Sequence, residues 1–254
     1  MIFLDRIVYV QADLNQHKMN IEAALKQYPD FENTFNRGFI GIPTGVSGLS
    51  EPFYSTLEEA KEILPDVFQS DKKLTTVFYM EGSGKFSKGV IFRKWITGEA
   101  GHVFLAPDSY QGKGRPTYST PAPKELYEKV HQYRQAEINY AVSRLNELPF
   151  VDQTKMFLMG NSEGGFAAAR YTGSEFKARI VLSWACESGY YTDYPHLGSL
   201  PEKHPFLNIV GREDKFFGKY SLLNKNQNND GHCANTLSRY KYAKLFYYPI
   251  RGIT

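Results

Sequence analysis

The sequence predicts an α/β fold, with a mostly parallel central sheet flanked by helices on both faces. Short apolar segments alternate with helical segments from about residue 74 onward, as in βαβ units with right-handed crossovers. The 254-residue chain is 42% hydrophobic and 22% charged, which is ordinary for a globular protein and enough for a large core. We therefore expect one domain, in which residues 74–254 form the core and residues 1–73 are an N-terminal extension with leading strands of the same sheet.

The first 73 residues have the least regular pattern. Residues 2–10 and 38–43 are candidate strands, and residues 21–28 are a candidate short helix. The segment from Ser55 to Glu58 resembles a capping box that opens a further helix, and Pro65 ends that helix. We expect this region to supply leading strands of the same sheet rather than a separate domain.

From Leu74 onward the pattern becomes regular. Strands are expected at residues 75–80, 102–106, 156–159, 179–185, 206–210 and 245–248. Helices are expected around Phe92 and at residues 124–148, 166–171 and 234–242. In the longest helix, apolar residues recur at steps of three and four, which predicts one buried face.

Four polar or glycine-rich segments follow the carboxyl ends of these strands. They are residues 81–84, residues 107–115, Ser162 and residues 211–214. Because functional sites in parallel sheets gather beyond the carboxyl ends of the strands, we expect the four segments to meet there.

Ser162 lies in the sequence Gly160-Asn161-Ser162-Glu163-Gly164, between an apolar strand and a helix of small residues. Such a tight strand-to-helix turn leaves no room for Cβ atoms at the two glycines. It lifts the serine hydroxyl above the sheet, and the following helix directs free N–H groups at the place where negative charge would form. The pattern predicts a nucleophilic serine, and the alternative is a tight turn with a buried serine.

A serine hydroxyl becomes a good nucleophile when a base takes its proton and an acid orients that base. Asp214 is the candidate acid, with Glu213 as second candidate, and the alternative is a solvated loop carboxylate. An oxyanion hole needs two N–H donors. We expect them from Glu163 and Ser83, with Gly84 as the next candidate, and a plain glycine-rich turn is the alternative.

These segments together resemble the dienelactone hydrolase-like family of the α/β-hydrolase superfamily. The resemblance covers about residues 74–250 and rests on Glu81 to Gly84, Ala106 to Tyr110 with Gly114-Arg115, Gly160 to Gly165, and Gly211 to Asp214. It implies an α/β-hydrolase fold whose last helix is missing. It also implies a serine hydrolase that cleaves a carboxylic ester or lactone through an acyl-Ser162 intermediate, with Asp214 as the acid and no metal or organic cofactor.

Two residues depart from the family pattern. Glu81 stands where the family usually has a histidine, and Ser162 stands where the founding members have a cysteine, so their particular substrate is not transferred. The histidine that serves as base is missing too, because the family pattern places it shortly after Tyr248-Pro249, where only Ile250 to Thr254 follow.

Three interpretations of the missing base stay open. The chain is a truncated or frameshifted hydrolase, His232 serves as the base, or the protein is a catalytically inactive binding module of the same fold. A serine peptidase of this fold is a further alternative. Without the last helix, one apolar face of the sheet would be exposed, so we expect reduced solubility or self-association.

Charge and composition exclude several other classes. The net charge of +3 and the absence of a basic stripe argue against nucleic acid binding. No apolar run approaches the roughly 18 residues of a membrane span. The N-terminal sequence has no basic n-region or cleavage site, so we expect a cytoplasmic protein with a small-molecule substrate.

The two cysteines, Cys186 and Cys233, are too few and wrongly spaced for a zinc site. They resemble recurrent positions of extracellular relatives, so a disulfide is conceivable. In a cytoplasmic protein we expect two free thiols instead.

Overall fold

The computed structural model describes residues 22–28, 30–193, 195, 197–199, 201–224 and 229–249. The described strands are β1 (Phe39–Ile42), β2 (Phe53–Thr56), β3 (Leu74–Met80), β4 (Val103–Ala106), β5 (Val151–Asn161), β6 (Ala178–Leu182), β7 (Phe206–Gly211) and β8 (Ala243–Tyr248). The helices are α1 (22–27), α2 (Phe31–Asn36), α3 (Leu57–Ile63), α4 (Gly89–Arg93), α5 (Lys124–Ser143), α6 (Glu163–Arg170) and α7 (Ala234–Leu237). A π-helix, Lys94–Glu99, continues α4.

The eight described strands form one sheet in the order β2-β1-β4-β3-β5-β6-β7-β8. The six strands from β3 to β8 run parallel, and β1 is antiparallel to both of its neighbours. The predicted fold class, a mostly parallel sheet flanked by helices, is therefore confirmed. Residues 39–56 join the same sheet as the later strands.

Helices cover the two faces of this sheet, and β3 shows how the sequence divides between them. Phe78 and Met80 point into the larger core, which α5 and α6 complete. Val77 and Tyr79 point into a second core together with Phe92 of α4. Since successive side chains of a strand alternate between faces, one apolar strand supplies both layers.

The N-terminal predictions have mixed outcomes. The candidate strand at residues 2–10 lies outside the described residues. The predicted helix at 21–28 corresponds to α1, and the predicted strand at 38–43 corresponds to β1. The capping box begins one residue later than predicted, because Thr56 rather than Ser55 exchanges hydrogen bonds with the backbone and side chain of Glu59, at 3.3 and 3.2 Å.

Two helices are shorter than predicted. The helix expected at 124–148 ends as an α-helix at Ser143, and a 3₁₀ turn at Leu145–Glu147 then directs the chain into β5. The helix expected at 234–242 ends at Leu237, because the next residues turn into β8, where Ala243 pairs with Phe206.

Cys186 and Cys233 form a disulfide, so the prediction of two free thiols is wrong. Cys186 follows β6, and Cys233 is tied to the neighbouring strand β7, where the side chain of Asn208 accepts its N–H at 3.2 Å. The adjacency of β6 and β7 therefore brings together two cysteines that lie 47 residues apart in the sequence.

Candidate active site

Ser162 occupies a strained turn between β5 and α6, with φ 54° and ψ −117°. Its N–H donates to the carbonyl of Leu182 at 2.9 Å. A Cβ atom at Gly160 would lie 2.0 Å from the carbonyl oxygen of Gly164, and one at Gly164 would lie 2.0 Å from that of Met80. The glycines thus permit the close approach, and the serine adopts a conformation that typically costs about 1–3 kcal/mol.

The side chain of Ser162 follows β5 at the carboxyl edge of the sheet, and the residue is partly exposed. Its hydroxyl makes no hydrogen bond to any residue that the structure describes. The loop after β3 passes beside it, because a Cβ atom at Gly82 would lie 3.4 Å from the Cβ of Ser162. The side chain of Ser162 and this loop are therefore neighbours.

The loop after β3 is organised by Glu81, the residue that replaces the histidine of the family that the sequence resembles. Its carboxylate accepts the N–H groups of Gly82 at 2.9 Å and Gly89 at 2.8 Å. The hydroxyl of Tyr110 donates to the carbonyl of Ser83. Within the described residues the Ser83 N–H has no hydrogen-bond acceptor, so it is available as a donor.

Glu163 follows Ser162 directly and begins α6, so its N–H has no partner inside the helix. Its carboxylate is buried, 2.7 Å from Nη2 of Arg115, and it accepts the hydroxyl of Tyr118 at 3.0 Å. The pKa of Tyr118 is raised, mainly by burial and to a smaller degree by the nearby Glu163 carboxylate. The Tyr118 hydroxyl therefore stays protonated and remains a donor. The sequence indicated the backbone of Glu163 but not this side-chain role.

Asp214 is buried at 2% exposure just after β7. Its Oδ1 accepts the N–H groups of Phe216 at 2.9 Å and Phe217 at 3.0 Å. Its Oδ2 is buried and has no hydrogen-bond partner among the described residues, and burial raises the pKa of the carboxyl. Glu213, the second candidate acid, is exposed. The Asp214 carboxylate is thus fixed by one oxygen and offers the other to an N–H donor.

Of the histidines that the structure describes, none is hydrogen-bonded to Ser162 or Asp214. The ring of His232 packs edge-on against Tyr247 at 4.9 Å, and its Nδ1 accepts the N–H of Ala234 at 3.3 Å. The described contacts therefore do not join an imidazole to the candidate serine and acid.

A row of aromatic rings connects the surroundings of Glu163 with those of Asp214. Neighbouring ring centroids lie 4.7, 4.7 and 4.9 Å apart along the series Tyr118, Tyr127, Tyr191 and Phe217. A small cavity is lined by Tyr191 and Phe217 of this row together with Trp184, Tyr190 and several polar residues. Because the N–H of Phe217 binds Oδ1 of Asp214, the aromatic row ends next to the candidate acid.

Sequence reasoning missed a buried ionic cluster next to the site. Arg134 and Glu137 on α5 are 3.3 Å apart and almost fully buried. The carboxylate of Glu137 accepts the hydroxyl of Ser109, which follows β4, at 2.7 Å, and burial raises its pKa. The sequence signal that could have revealed this cluster is the spacing of Arg134 and Glu137, which lie three residues apart on the same helical face as the buried Val130 and Tyr133.

No group of metal-ligating side chains suited to an ion occurs in the part of the chain that the structure covers. Among the described helices, none combines the length and apolar character that crossing a bilayer requires.

No family model and no curated protein matches the sequence. Several solved structures resemble it. A Klebsiella pneumoniae protein assigned as a dienelactone hydrolase has a TM-score of 0.49 and 16% identity, over 83% of this chain and 85% of that one. A Dyadobacter fermentans phospholipase/carboxylesterase has a TM-score of 0.46 and 14% identity, over 74% of this chain and 85% of that one. An Anaeromyces mucronatus ferulic acid esterase has a TM-score of 0.44 and 15% identity, over 83% of this chain and 80% of that one.

Because these TM-scores and identities are low, the fold is identified from the architecture of this chain itself. Six parallel strands, the antiparallel strands at one edge, and the strand–serine–helix turn after β5 together define the α/β-hydrolase fold. The fold is the one that the sequence predicts.

Proposed function

We propose that this protein is a serine hydrolase that cleaves a carboxylic ester or lactone through an acyl-Ser162 intermediate. One observation carries the proposal: the Ser162 hydroxyl, which has no hydrogen-bond partner among the described residues, belongs to a strained turn that lies beside the loop containing Ser83 and directly precedes the first N–H of α6, that of Glu163. Strain of this kind in a non-glycine residue is typical of functional sites.

The proposed reaction begins when Oγ of Ser162 attacks the substrate carbonyl carbon and a base accepts the hydroxyl proton. The carbonyl oxygen becomes an oxyanion, and the N–H groups of Ser83 and Glu163 stabilise it. The tetrahedral intermediate collapses, and the alcohol leaves with the proton that the base returns. Water then attacks the acyl-serine by the same route, which releases the acid and restores Ser162.

In this mechanism Asp214 orients the base, because its buried Oδ2 can accept an imidazole N–H. Among the described residues, His232 is the candidate for that imidazole. No metal ion or organic cofactor takes part in these steps, and the partner is a small-molecule substrate.

We favour an ester or lactone over a peptide because an aromatic row that ends at Phe217 adjoins the candidate acid Asp214, and small-molecule sites are typically lined by such rings. Serine peptidase activity stays the second alternative within enzymes.

A catalytically inactive binding module is the alternative from another class. The observation in its favour is that no described histidine contacts Ser162 or Asp214. Cytoplasmic localisation stays a prediction from the N-terminal sequence, and the Cys186–Cys233 disulfide favours an oxidising compartment instead.

The test is to mix the protein with p-nitrophenyl acetate or dihydrocoumarin, quench in acid, and analyse the intact mass and the peptides. An acyl adduct on the peptide that contains Ser162, absent in Ser162→Ala, supports the proposed mechanism. Binding of the ester without any adduct or turnover supports the inactive module.

A further inference from the structure

We infer that Arg134 is a positioning residue that holds the two proposed oxyanion donors, Ser83 and Glu163, in a fixed relation to each other. The inference rests on the proposed function, because it assigns a role within the same site. Arg134 lies on α5 and is only 1% exposed, so its guanidinium interacts with protein groups rather than solvent.

Three nitrogen atoms of Arg134 lie close to three different groups. Nη2 donates to the backbone carbonyl of Glu81 at 2.8 Å. Nε lies 3.7 Å from Oε1 of Glu163, and Nη1 lies 3.3 Å from Oε2 of Glu137. Glu137 in turn accepts the hydroxyl of Ser109. One side chain thus joins the loops that follow β3, β4 and β5.

On the β3 side, Arg134 helps to fix the peptide plane between Glu81 and Gly82. Arg134 holds its carbonyl, and the Glu81 carboxylate holds its N–H at 2.9 Å. Because a peptide unit is planar, contacts at both ends set its orientation and therefore the path of the chain into Ser83. The hydroxyl of Tyr110 donates to the carbonyl of Ser83, two residues after that of Glu81.

On the β5 side, Arg134 and Arg115 both face the carboxylate of Glu163, at 3.7 and 2.7 Å. Glu163 is the first residue of α6, and its anchored side chain is attached to the same Cα atom as the donor N–H that follows Ser162. A guanidinium is planar and presents several donors in a fixed geometry, which a lysine ammonium does not.

Stability alone gives no reason for a charged cluster at this position. Two arginines and two glutamates are buried here, and replacing such clusters with apolar residues is often neutral or stabilising. A positioning role accounts for the contact of one guanidinium with both donor segments.

The test compares Arg134→Met and Arg134→Lys with Arg179→Met. Arg179 is an equally buried arginine that also binds backbone carbonyls, those of Ala168 at 2.7 Å and Tyr171 at 3.1 Å, at the other end of α6. Amide hydrogen exchange is measured in residues 82–84 and 163–165, and kcat and KM are measured with p-nitrophenyl acetate.

For Arg134→Met we expect faster exchange in both segments, and a fall in kcat of about 10- to 100-fold with little change in KM. Arg134→Lys, which keeps the charge but not the fork, should show the same pattern to a smaller extent, and it replaces the Met variant if that one does not fold. Arg179→Met should lower the melting temperature without affecting either segment or kcat.

Unchanged exchange, a response in only one of the two segments, or full function of Arg134→Lys would overturn the inference. So would an equal loss of kcat in Arg179→Met. If the wild-type protein shows no turnover while both segments respond to Arg134→Met, the positioning role stands and the proposed function fails.

Discussion

The guanidinium of Arg115 lies 2.7 Å from the carboxylate of Glu163, and the two side chains are only 5% and 1% exposed. The pair connects the loop after β4 with the first residue of α6, next to Ser162. The Arg115 guanidinium also lies over the ring of Tyr110 at 4.5 Å. The long connection between β4 and α5 is thereby fixed to the candidate site by a buried ion pair.

We expect Arg115→Met to lower the free energy of unfolding by about 3–5 kcal/mol, because it leaves the buried Glu163 carboxylate without its nearest cation. Urea denaturation measures the effect. The control is Arg239→Met, since Arg239 pairs with Glu202 at 3.7 Å on the surface, with both side chains more than half exposed. That variant should change stability by no more than about 0.5 kcal/mol. Equal effects in the two variants would contradict the account.

The Cys186–Cys233 disulfide should stabilise the fold by about 2–4 kcal/mol, because it closes a loop of 47 residues in the unfolded chain. Urea denaturation with and without dithiothreitol should show this difference for the wild-type protein. The control is the double variant Cys186→Ala/Cys233→Ala, for which the reductant should make no difference. Two reactive thiols per chain in denatured, unreduced protein would show that the disulfide is not formed.

Asp214 should make the stability of the protein depend on pH. Burial raises the pKa of its carboxyl above the ordinary 3.8, so the folded protein keeps this proton to a higher pH than the unfolded chain does. The unfolded state loses the proton first as pH rises, so the stability contributed by this residue falls between the ordinary pKa and the raised one, and is constant above it.

Urea denaturation of the wild type and of Asp214→Asn over this pH range checks the prediction. We expect the difference in unfolding free energy, wild type minus variant, to decrease as pH rises. An increase would mean that a cation, such as an imidazolium, pairs with Oδ2 of Asp214 in the folded protein.

Self-association should occur through β8, which is an edge strand of the described sheet. Phe246 and Tyr248 stack at 6.3 Å and are 47% and 41% exposed, so an apolar surface lies beside unpaired backbone groups. We expect Phe246→Lys/Tyr248→Lys to shift the protein toward monomer in sedimentation velocity, whereas Leu222→Lys, which removes an exposed apolar residue outside β8, should not. A wild-type monomer at all concentrations would refute this.

The sequence predicted the parts of the molecule that local patterns encode. The apolar strands, the turn around Ser162 and the position of Asp214 after β7 follow from periodicity, glycine spacing and chain order. The buried face of α5 was predicted for Tyr133 and Ile138 but not for Arg134 or Glu137, because hydrophobic periodicity records only apolar positions.

The remaining features depend on contacts between distant segments. The disulfide depends on the adjacency of β6 and β7, and spacing in the sequence does not reveal that adjacency. The pairing of Arg115 with Glu163 joins residues 48 apart in a similar way. Glu81 was noticed as a departure from the family pattern, but its hydrogen bonds to Gly82 and Gly89 become visible only when the loop has folded back on itself.

The most direct test of the central claim is labelling of the folded protein with a fluorophosphonate probe, mapped by peptide mass spectrometry. Ser183→Ala is a matched control, because Ser183 also has a positive φ, of 50°, and directly follows the neighbouring strand β6. We predict labelling at Ser162 alone, retained in Ser183→Ala, lost in Ser162→Ala and slowed in Asp214→Asn. A demonstrably folded protein that remains unlabelled, or that is labelled at another serine, would contradict the assignment of Ser162 as the nucleophile.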